Sequence, residues 1–246
     1  MNVPQRHHRW LELEWRPESA FGSPLVGTQC FGLLCAQLAA ADTPWLCHLL
    51  EGYLAGDPFL VVGDPRPRGH LPRPSWPLHR FTPVSGLQPK QTKALHWVPW
   101  TDNLHGLPLR DWLVASVSDA AVAEAHGHAV APGWSACVEH TRSARARDGG
   151  LHAVAEWHYR TEPRWVLDLV YDARRVSADD LLAAFRDLGA RGYGAGASRG
   201  LGKFTVAGHR ELAPPRPAGR DVRLALGACV PWSDAVADTW YRSVVY

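Results

Sequence analysis

The sequence predicts an α+β fold, because its strand-like and helix-like segments follow the order strand, helix, strands, helix, strand. That order is typical of a ferredoxin-like (RRM-like) split βαβ domain. A stretch rich in proline interrupts it, and strand-like and helix-like segments recur after a linker. We therefore predict one ferredoxin-like domain over 1–210 with an extended insertion at about 56–110. The start of a second, short or incomplete ferredoxin-like domain is predicted over 220–246.

The first half of the predicted domain opens with a strand. Apolar and charged residues alternate over Trp10–Trp15, as in a strand with one buried face. After a turn at 21–27, Thr28 is predicted to cap a helix that runs to Leu38, whose apolar spacing gives one buried stripe. A second short helix is predicted from Trp45 to Leu54.

From 56 to 108 prolines and glycines recur every few residues. This much proline excludes a long helix or a central strand, so we expect an extended insertion with short hairpins on the domain surface. A helix is predicted to follow from Asp111 to Ala125. Basic residues are interleaved with the prolines: Arg66, Arg68, His70, Arg73, His79, Arg80, Lys90 and Lys93.

Regular structure resumes in the second half of the chain. Leu151–Tyr159 and Trp165–Tyr171 are predicted to be two strands in hairpin-like succession. Ser177 then caps a helix that reaches Leu188, and the last strand of the domain covers Lys203–Ala207. After a linker, a strand at 222–230 and a helix at 235–245 belong to the second unit.

Composition excludes several classes of protein. The chain is 46% hydrophobic and 20% charged, as expected of a soluble globular protein, and no apolar run is long enough to span a membrane. The polar N-terminus does not resemble a signal peptide, so we predict a cytoplasmic protein without a membrane partner. Five scattered cysteines without a Cys-x-x-Cys pair favour buried free thiols over a zinc site. No cofactor is predicted.

Glycines at 192, 194, 196, 200 and 202 define the main candidate site. A dinucleotide-binding loop needs a strand before its glycines and a helix after them, and here that order is reversed. A P-loop fails at two positions, since Ala197 replaces the first glycine and Phe204 follows Lys203. The remaining hypotheses are an RNA-binding loop, whose amides act with Arg199 and Lys203, and a flexible turn with incidental glycines.

Other residues are weaker candidates for RNA contacts. Arg142, Arg145 and Arg147 alternate with small residues, so one loop can present all three to phosphates. Tyr193 is a candidate for stacking on a base. Taken with a family resemblance described next, the RNA-binding residues are predicted to be His140, Arg142, Arg145, Arg147, Gly192, Tyr193, Gly194, Gly196, Arg199, Gly200, Gly202, Lys203, Lys90 and Lys93.

Several segments resemble one known family. They are the glycine-rich loop, Phe21–Gly32, Gly52–Phe59, Gly69–Pro74, Lys90–Trp97 and His140–Val154. The last of these is interpreted as a polar loop before a hairpin. The loop resembles that of the RAMP superfamily of CRISPR proteins. The ensemble is similar to the fourth subunit of the type III-A Csm effector complex, in the wider Cas5 group.

The resemblance implies a non-catalytic RNA-binding subunit of a type III effector complex. Such a subunit binds and caps the repeat-derived 5′ tag of the guide RNA, and contacts the large polymerase-like subunit and the backbone RAMP subunits. The alternative is a metal-independent RAMP endoribonuclease that processes CRISPR repeat RNA with a catalytic histidine, for which His140 is the candidate. A third hypothesis, a nucleotide-binding enzyme, depends on the glycines alone and conflicts with the direction of the loop.

Overall fold

The structure is a computed structural model that describes residues 7–101, 104, 106–125, 135–143, 151–160, 164–213 and 224–227; of residues 135–137, 140–143 and 151–153 it describes the backbone alone. Its strands are β1 (His8–Pro17), β2 (Leu60–Val62), β3 (Arg66–Pro67), β4 (His70–Pro72), β5 (Leu95–Pro99), β6 (Val117–Ser118), β7 (Ser135–Ser143), β8 (Leu151–Tyr159), β9 (Trp165–Asp172) and β10 (Phe204–Leu212). Its helices are α1 (Gly27–Ala41), α2 (Thr43–Leu50), α3 (Pro89–Lys93), α4 (Trp112–Ala115), α5 (Asp119–Ala125) and α6 (Ala178–Arg191).

The main sheet is antiparallel, with strand order β10-β1-β9-β2, and β3 also pairs with β9. One face is apolar because alternate residues of β1 (Leu11, Leu13 and Trp15) are buried in the core with residues of α1 and α6. At Gly189 α6 comes so close to β10 that a Cβ atom would lie 2.1 Å from the Phe204 carbonyl oxygen. The mixed helices and antiparallel sheets confirm the predicted α+β class.

Helix capping follows the prediction at one helix and departs from it at another. Ser177 caps α6, since its Oγ accepts from the Asp180 N–H at 3.1 Å, as predicted. The prediction that Thr28 caps α1 is wrong, because Val26 is the N-cap and makes no side-chain bond. Instead the carboxylate of Asp64 accepts from the first helical amide, Gly27 N–H, at 2.8 Å.

Two predictions about the strands are wrong. Leu151–Tyr159 does not pair with the strand that follows it, but forms a separate two-stranded sheet with β7. The fourth strand of the main sheet's order is β2, within the stretch predicted to be an insertion. The three residues of β2 are too few to show an alternation, and at the sheet edge the nearby prolines are tolerated.

The rest of the proline-rich stretch forms a three-stranded sheet, in the order β4-β5-β6, with α3 before β5. We call residues 65–110 the insertion. The helix predicted from Asp111 to Ala125 is divided into α4 and α5 by β6. Within the described residues there is no helix long and apolar enough to cross a membrane.

The second face of the main sheet carries charges and is covered by the insertion. The buried guanidinium of Arg66 binds Asp168 at 2.6 and 2.8 Å and Glu12 at 3.0 Å. Burial alone would lower the pKa of Arg66, but its bonds to the two carboxylates outweigh that effect and raise it. Trp100 stacks on Trp10 of β1, with ring centroids 5.2 Å apart. The insertion is thus held by one buried ion cluster and one aromatic pair.

The C-terminal part is described only in fragments. The last strand of the domain extends to Leu212, beyond its predicted end. Residues 224–227 form a bend where a strand was predicted, and the Leu226 carbonyl accepts from Asp64 N–H at 2.7 Å. The remainder of 220–246 lies outside the described residues.

Candidate nucleic-acid interface

The candidate glycine loop, residues 192–203, connects α6 to β10, so the predicted direction from helix to strand is confirmed. Its five glycines all have positive φ angles, between 72° and 99°. Residues with a Cβ atom rarely adopt this conformation. The path of the backbone therefore requires glycine at each of these positions, whatever the loop binds.

The loop folds back on itself at its two ends. Tyr193 N–H donates to the Gly202 carbonyl at 2.9 Å. A Cβ atom on Gly202 would lie 2.0 Å from the Tyr193 carbonyl oxygen, and one on Gly192 would lie 2.5 Å from that of Leu201. At Gly200, by contrast, a Cβ atom would meet nothing within 4 Å. Close backbone packing and a hydrogen bond hold the base of the loop, unlike the flexible turn of the alternative hypothesis.

A turn between β1 and α1, residues 18–25, supports the loop from the other side. Ser19 Oγ accepts from Lys203 N–H at 2.9 Å, and Ser23 Oγ accepts from Ala195 N–H at 3.3 Å. Gly22 approaches Ala195 so closely that a Cβ atom would lie 1.9 Å from its carbonyl oxygen. Sequence reasoning missed both serines, because nothing in their local pattern shows a contact with a loop more than 170 residues away.

Tyr193 joins the loop to the start of α1. Its ring is fully buried, and its hydroxyl accepts from Val26 N–H at 3.0 Å. The same hydroxyl lies 2.7 Å from Gln29 Oε1 and 2.9 Å from the Pro24 carbonyl, and donates to one of them. The prediction that this ring stacks on an RNA base is wrong, since the core covers both of its faces.

Most amides of the loop are already used within the protein. Amides that donate to protein acceptors are those of Gly192, Tyr193, Ala195, Ala197, Arg199, Gly200, Leu201, Gly202 and Lys203. The amides of the half-buried residues Gly194 and Gly196, and that of the exposed Ser198, have no acceptor among the described residues. Far fewer loop amides are therefore available to a ligand than the number of glycines indicates.

An exposed cation lies beside one of these amides, since a guanidinium nitrogen of Arg199 is 3.0 Å from the position of a Cβ atom on Gly196, and Lys203 ends the loop. Arg199 and Lys203 are exposed, and neither has a carboxylate within 4.0 Å in the part of the chain that the structure describes. Sequence reasoning missed Arg16, which is also exposed and lies opposite Thr205, two residues from Lys203. Uncompensated cations beside unpaired amides are suited to hold phosphate groups.

The β7–β8 hairpin is tied to the same turn. Phe21 and Trp157 exchange backbone hydrogen bonds of 2.8 and 2.7 Å, and the Tyr159 hydroxyl accepts from Leu25 N–H at 2.9 Å. His140 and Arg142 lie on β7, so their prediction as loop residues is wrong. Arg145 and Arg147 lie outside the described residues. The turn thus connects the glycine loop to the base of the hairpin that carries these candidates.

Lys90 and Lys93 lie elsewhere, on α3 of the insertion. Both are exposed, and α3 packs against β5. No hydrogen bond or ion pair among the described residues joins α3 to the glycine loop. The structure therefore separates the predicted RNA-binding residues into two groups.

Two titratable groups near the start of α1 have shifted pKa values. Burial raises the pKa of the Cys30 thiol far above its ordinary value, which leaves it protonated and unreactive. Burial also raises the pKa of Asp64, while its hydrogen bond from Gly27 N–H opposes that shift. No group of three or more potential metal ligands occurs among the described residues.

Comparisons with known proteins identify the fold. No protein-family model matches the sequence, and no curated protein is detectably similar. Three crystal structures of a Csm1–Csm4 cassette, in complex with pppApA, AMPPNP or one ATP, are similar to this chain. The chain has the fold of Csm4. The TM-scores are 0.51, 0.51 and 0.50 at 15% identity, over 85% of this chain and 72%, 73% and 72% of the matched chains.

The predicted resemblance to Csm4-type RAMP proteins is confirmed by this likeness. At 15% identity the likeness concerns the fold, and does not transfer individual residues or ligands. The roles of residues therefore have to be argued from the geometry of this chain.

Proposed function

We propose that the protein is a non-catalytic RNA-binding subunit of a cytoplasmic type III CRISPR effector complex, and that it binds and caps the 5′ tag of the guide RNA. The observation that carries the proposal is the glycine loop of a Csm4-like fold, where amides without acceptors among the described residues share one loop with the exposed cations Arg199 and Lys203. A loop with this donor set suits an RNA backbone, which offers phosphate oxygens as acceptors.

We further infer that the main domain is a ferredoxin-like unit. In chain order, β1, α1, β2, β9, α6 and β10 supply a strand, a helix, two strands, a helix and a strand. The sheet order β10-β1-β9-β2 places the first strand between the last and the third. On this basis the domain covers 1–210. The insertion and the β7–β8 hairpin both lie between β2 and β9 in the chain. Residues 220–246 begin a second unit.

In the proposed complex the RNA backbone lies along the outer side of the glycine loop. Gly194 and Gly196 donate from their amides, and Arg199 and Lys203 supply the positive charge. The amide at the start of α1 is already bound by Asp64, so the loop, not the helix end, is expected to hold the phosphate. His140 and Arg142 of β7, together with Arg145 and Arg147, are proposed as a second wall of the site.

The proposed protein partners are the large polymerase-like subunit and the backbone RAMP subunits. The similar structures are of Csm4 in a cassette with Csm1, which supports a partner of the first kind. Co-expression with a polymerase-like subunit, followed by affinity purification of either chain, is expected to recover both. Recovery of each chain alone at low and moderate salt would contradict the assignment to an effector complex.

RNA binding is tested on the full chain with fluorescently labelled repeat-derived RNA. The double change Arg199→Glu with Lys203→Glu is expected to weaken binding and to reduce the salt slope by about 1.4, because each phosphate that is no longer neutralised lowers the slope by about 0.7. The control is Arg9→Glu with Arg186→Glu, which changes charge equally at two exposed residues on the helix side of the sheet. Equal losses in the two variants would remove the loop from the binding site.

The enzymatic alternative needs its own experiment. Incubation of repeat RNA with the protein in EDTA separates a binding subunit from a metal-independent endoribonuclease. We expect intact RNA. Cleavage at one position that is abolished by His140→Ala would contradict the non-catalytic role.

A further inference from the structure

Charge is distributed very unevenly along this chain. The insertion contains seven basic residues (Arg66, Arg68, Arg73, Arg80, Lys90, Lys93 and Arg110) and one acid, Asp102, so its formal charge is +6. The whole chain has a formal net charge of +2, which leaves −4 on all other residues together. A local excess of this size attracts polyanions even when the whole protein is nearly neutral.

Two of the seven cations are neutralised by the main sheet. Arg66 is buried between Asp168 and Glu12, and Arg68 binds Glu14 at 2.9 Å. These two residues hold the insertion in place and are not available to a ligand. The charge offered to solvent must therefore come from the residues farther along the insertion.

Three of the remaining cations, Arg73, Lys90 and Lys93, lie next to β5 or on the helix that packs against it. Within the described residues no carboxylate comes within 4.0 Å of Arg73, Lys90 or Lys93, and both lysines are exposed. The acids close to β5 are already engaged, since Asp119 accepts from Trp97 Nε1 at 2.8 Å. Because Lys90 and Lys93 are three residues apart on α3, their side chains leave the same side of the helix.

Aromatic rings alternate with the arginines of this region. The guanidinium of Arg80 lies over the ring of Trp76, 5.9 Å from its centroid, and that of Arg73 lies 5.7 Å from the centroid of Phe81. The two rings contact each other edge to face at 5.2 Å. Arg73 is fixed further by its Nε–H, which donates to the Leu95 carbonyl at 2.6 Å. Phe81 is buried and supports Arg73 and Trp76, whereas the partly exposed indole of Trp76 and planar guanidinium groups are surfaces on which bases stack.

We propose that Arg73, Trp76, Arg80, Lys90 and Lys93, which we call the basic face of the insertion, bind single-stranded RNA at a site separate from the glycine loop. This proposal rests on the proposed function for the choice of RNA as the ligand. It does not depend on RNA binding by the glycine loop. The insertion covers β1 from Glu14, which Arg68 binds, to Trp10, which stacks on Trp100, whereas the glycine loop meets the chain beyond Pro17. The Trp100 end of the insertion is therefore about 23 Å from the loop along the strand. The basic face is proposed to contact RNA beyond the nucleotides that the glycine loop holds.

An acidic protein surface is the other kind of partner that a basic face can attract. The alternation of cations with aromatic rings favours RNA, because stacking on bases uses the rings while phosphates use the lysines. A carboxylate-rich protein partner has no need for the rings. The two partners are distinguished by the experiment below.

The test measures binding of the full chain to two labelled RNAs that share the tag, of about 8 and about 24 nucleotides, a range set by the footprint of single-strand binding sites. Lys90→Glu with Lys93→Glu is expected to lower the affinity for the long RNA about 25-fold at 0.1 M salt and to lower the salt slope of that affinity by about 1.4. The affinity for the short RNA should not change. Both lysines are exposed, so an unchanged melting temperature is expected. The control is Arg9→Glu with Arg186→Glu.

Four outcomes would overturn the proposal. If the lysine variant binds both RNAs with unchanged affinity, the basic face is not an RNA-binding site. The loop site still stands in that case, provided that the loop variant loses affinity for the short RNA. An equal loss for both RNAs makes the lysines part of the loop site. Unchanged RNA binding with lost association with the large subunit identifies a protein partner. Failure of the unaltered chain to bind either RNA overturns the proposed function as well.

Discussion

The glycine loop and the insertion differ in how they are held and in the groups that they expose. The loop is fixed by backbone contacts, since most of its amides donate within the protein and its glycines pack against carbonyl groups. The insertion is fixed by the pairing of β3 with β9 and by two side-chain anchors, and it offers cations on exposed side chains. On the proposed function, the loop positions the RNA by shape and the basic face attracts it by charge.

Removal of the ion-cluster anchor should give the largest change in stability. Arg66→Met leaves Asp168 buried without its cation and removes one of the three arginines within 4.0 Å of Glu12. We expect a loss of about 3–5 kcal/mol in the free energy of unfolding. Arg68→Met is the matched control, because Arg68 is one-third exposed and its loss should cost less than about 1 kcal/mol. Denaturant unfolding of both variants measures the difference, and equal losses would contradict the role given to the buried cluster.

The close packing of the loop is tested by a pair of glycine substitutions. Gly202→Ala and Gly200→Ala each force alanine into a positive φ, which costs about 1–2 kcal/mol. Only Gly202→Ala also drives a methyl group into the Tyr193 backbone, so its loss should reach about 3 kcal/mol or more. Thermal and urea unfolding of the two variants provide the measurement. A loss at Gly200 as large as that at Gly202 would mean that the base of the loop is not closed as described.

A smaller effect is expected at the hydroxyl that joins the loop to α1. Tyr193→Phe leaves the amide of Val26 without its acceptor and should cost about 1–3 kcal/mol. Tyr53→Phe is the control, because that hydroxyl makes one bond, to the Leu60 carbonyl at 3.0 Å, far from the loop. If Tyr193 is a positioning residue, its variant alone should also bind tag RNA more weakly. Unchanged RNA affinity in a destabilised Tyr193→Phe protein would limit this residue to a structural role.

Local patterns predicted the elements of the fold well where the segments were long. The alternation in β1, the capping of α6 by Ser177 and the order from α6 through the glycines to β10 were all visible in the sequence. The partners of strands were not visible. Leu151–Tyr159 pairs with the preceding strand, β7, and not with the strand that follows it. β2, which pairs with β9, has only three residues and lies among prolines. Neither pairing leaves a signal in the local sequence.

The candidate site was predicted in part. Glycine content identified the loop and its direction, and Arg199 and Lys203 are exposed as expected. Tyr193 was misjudged because a tyrosine among glycines is expected to be exposed, whereas its burial depends on contacts with Pro24, Val26 and Gln29. The supporting serines of the turn were missed for the same reason. Long-range contacts decide which loop groups remain available, and one sequence does not contain them.

The most direct test of RNA binding by the glycine loop follows two amides as RNA binds. Gly194 and Gly196 have amides without acceptors among the described residues, so tag RNA should shift their NMR resonances and slow their hydrogen exchange. Gly208, in the middle of β10, serves as the internal reference and should not respond. We predict changes at Gly194 and Gly196 with the short tag RNA, and additional changes on α3 only with the longer RNA. Binding that leaves both amides unperturbed would contradict the claim that the glycine loop holds the RNA.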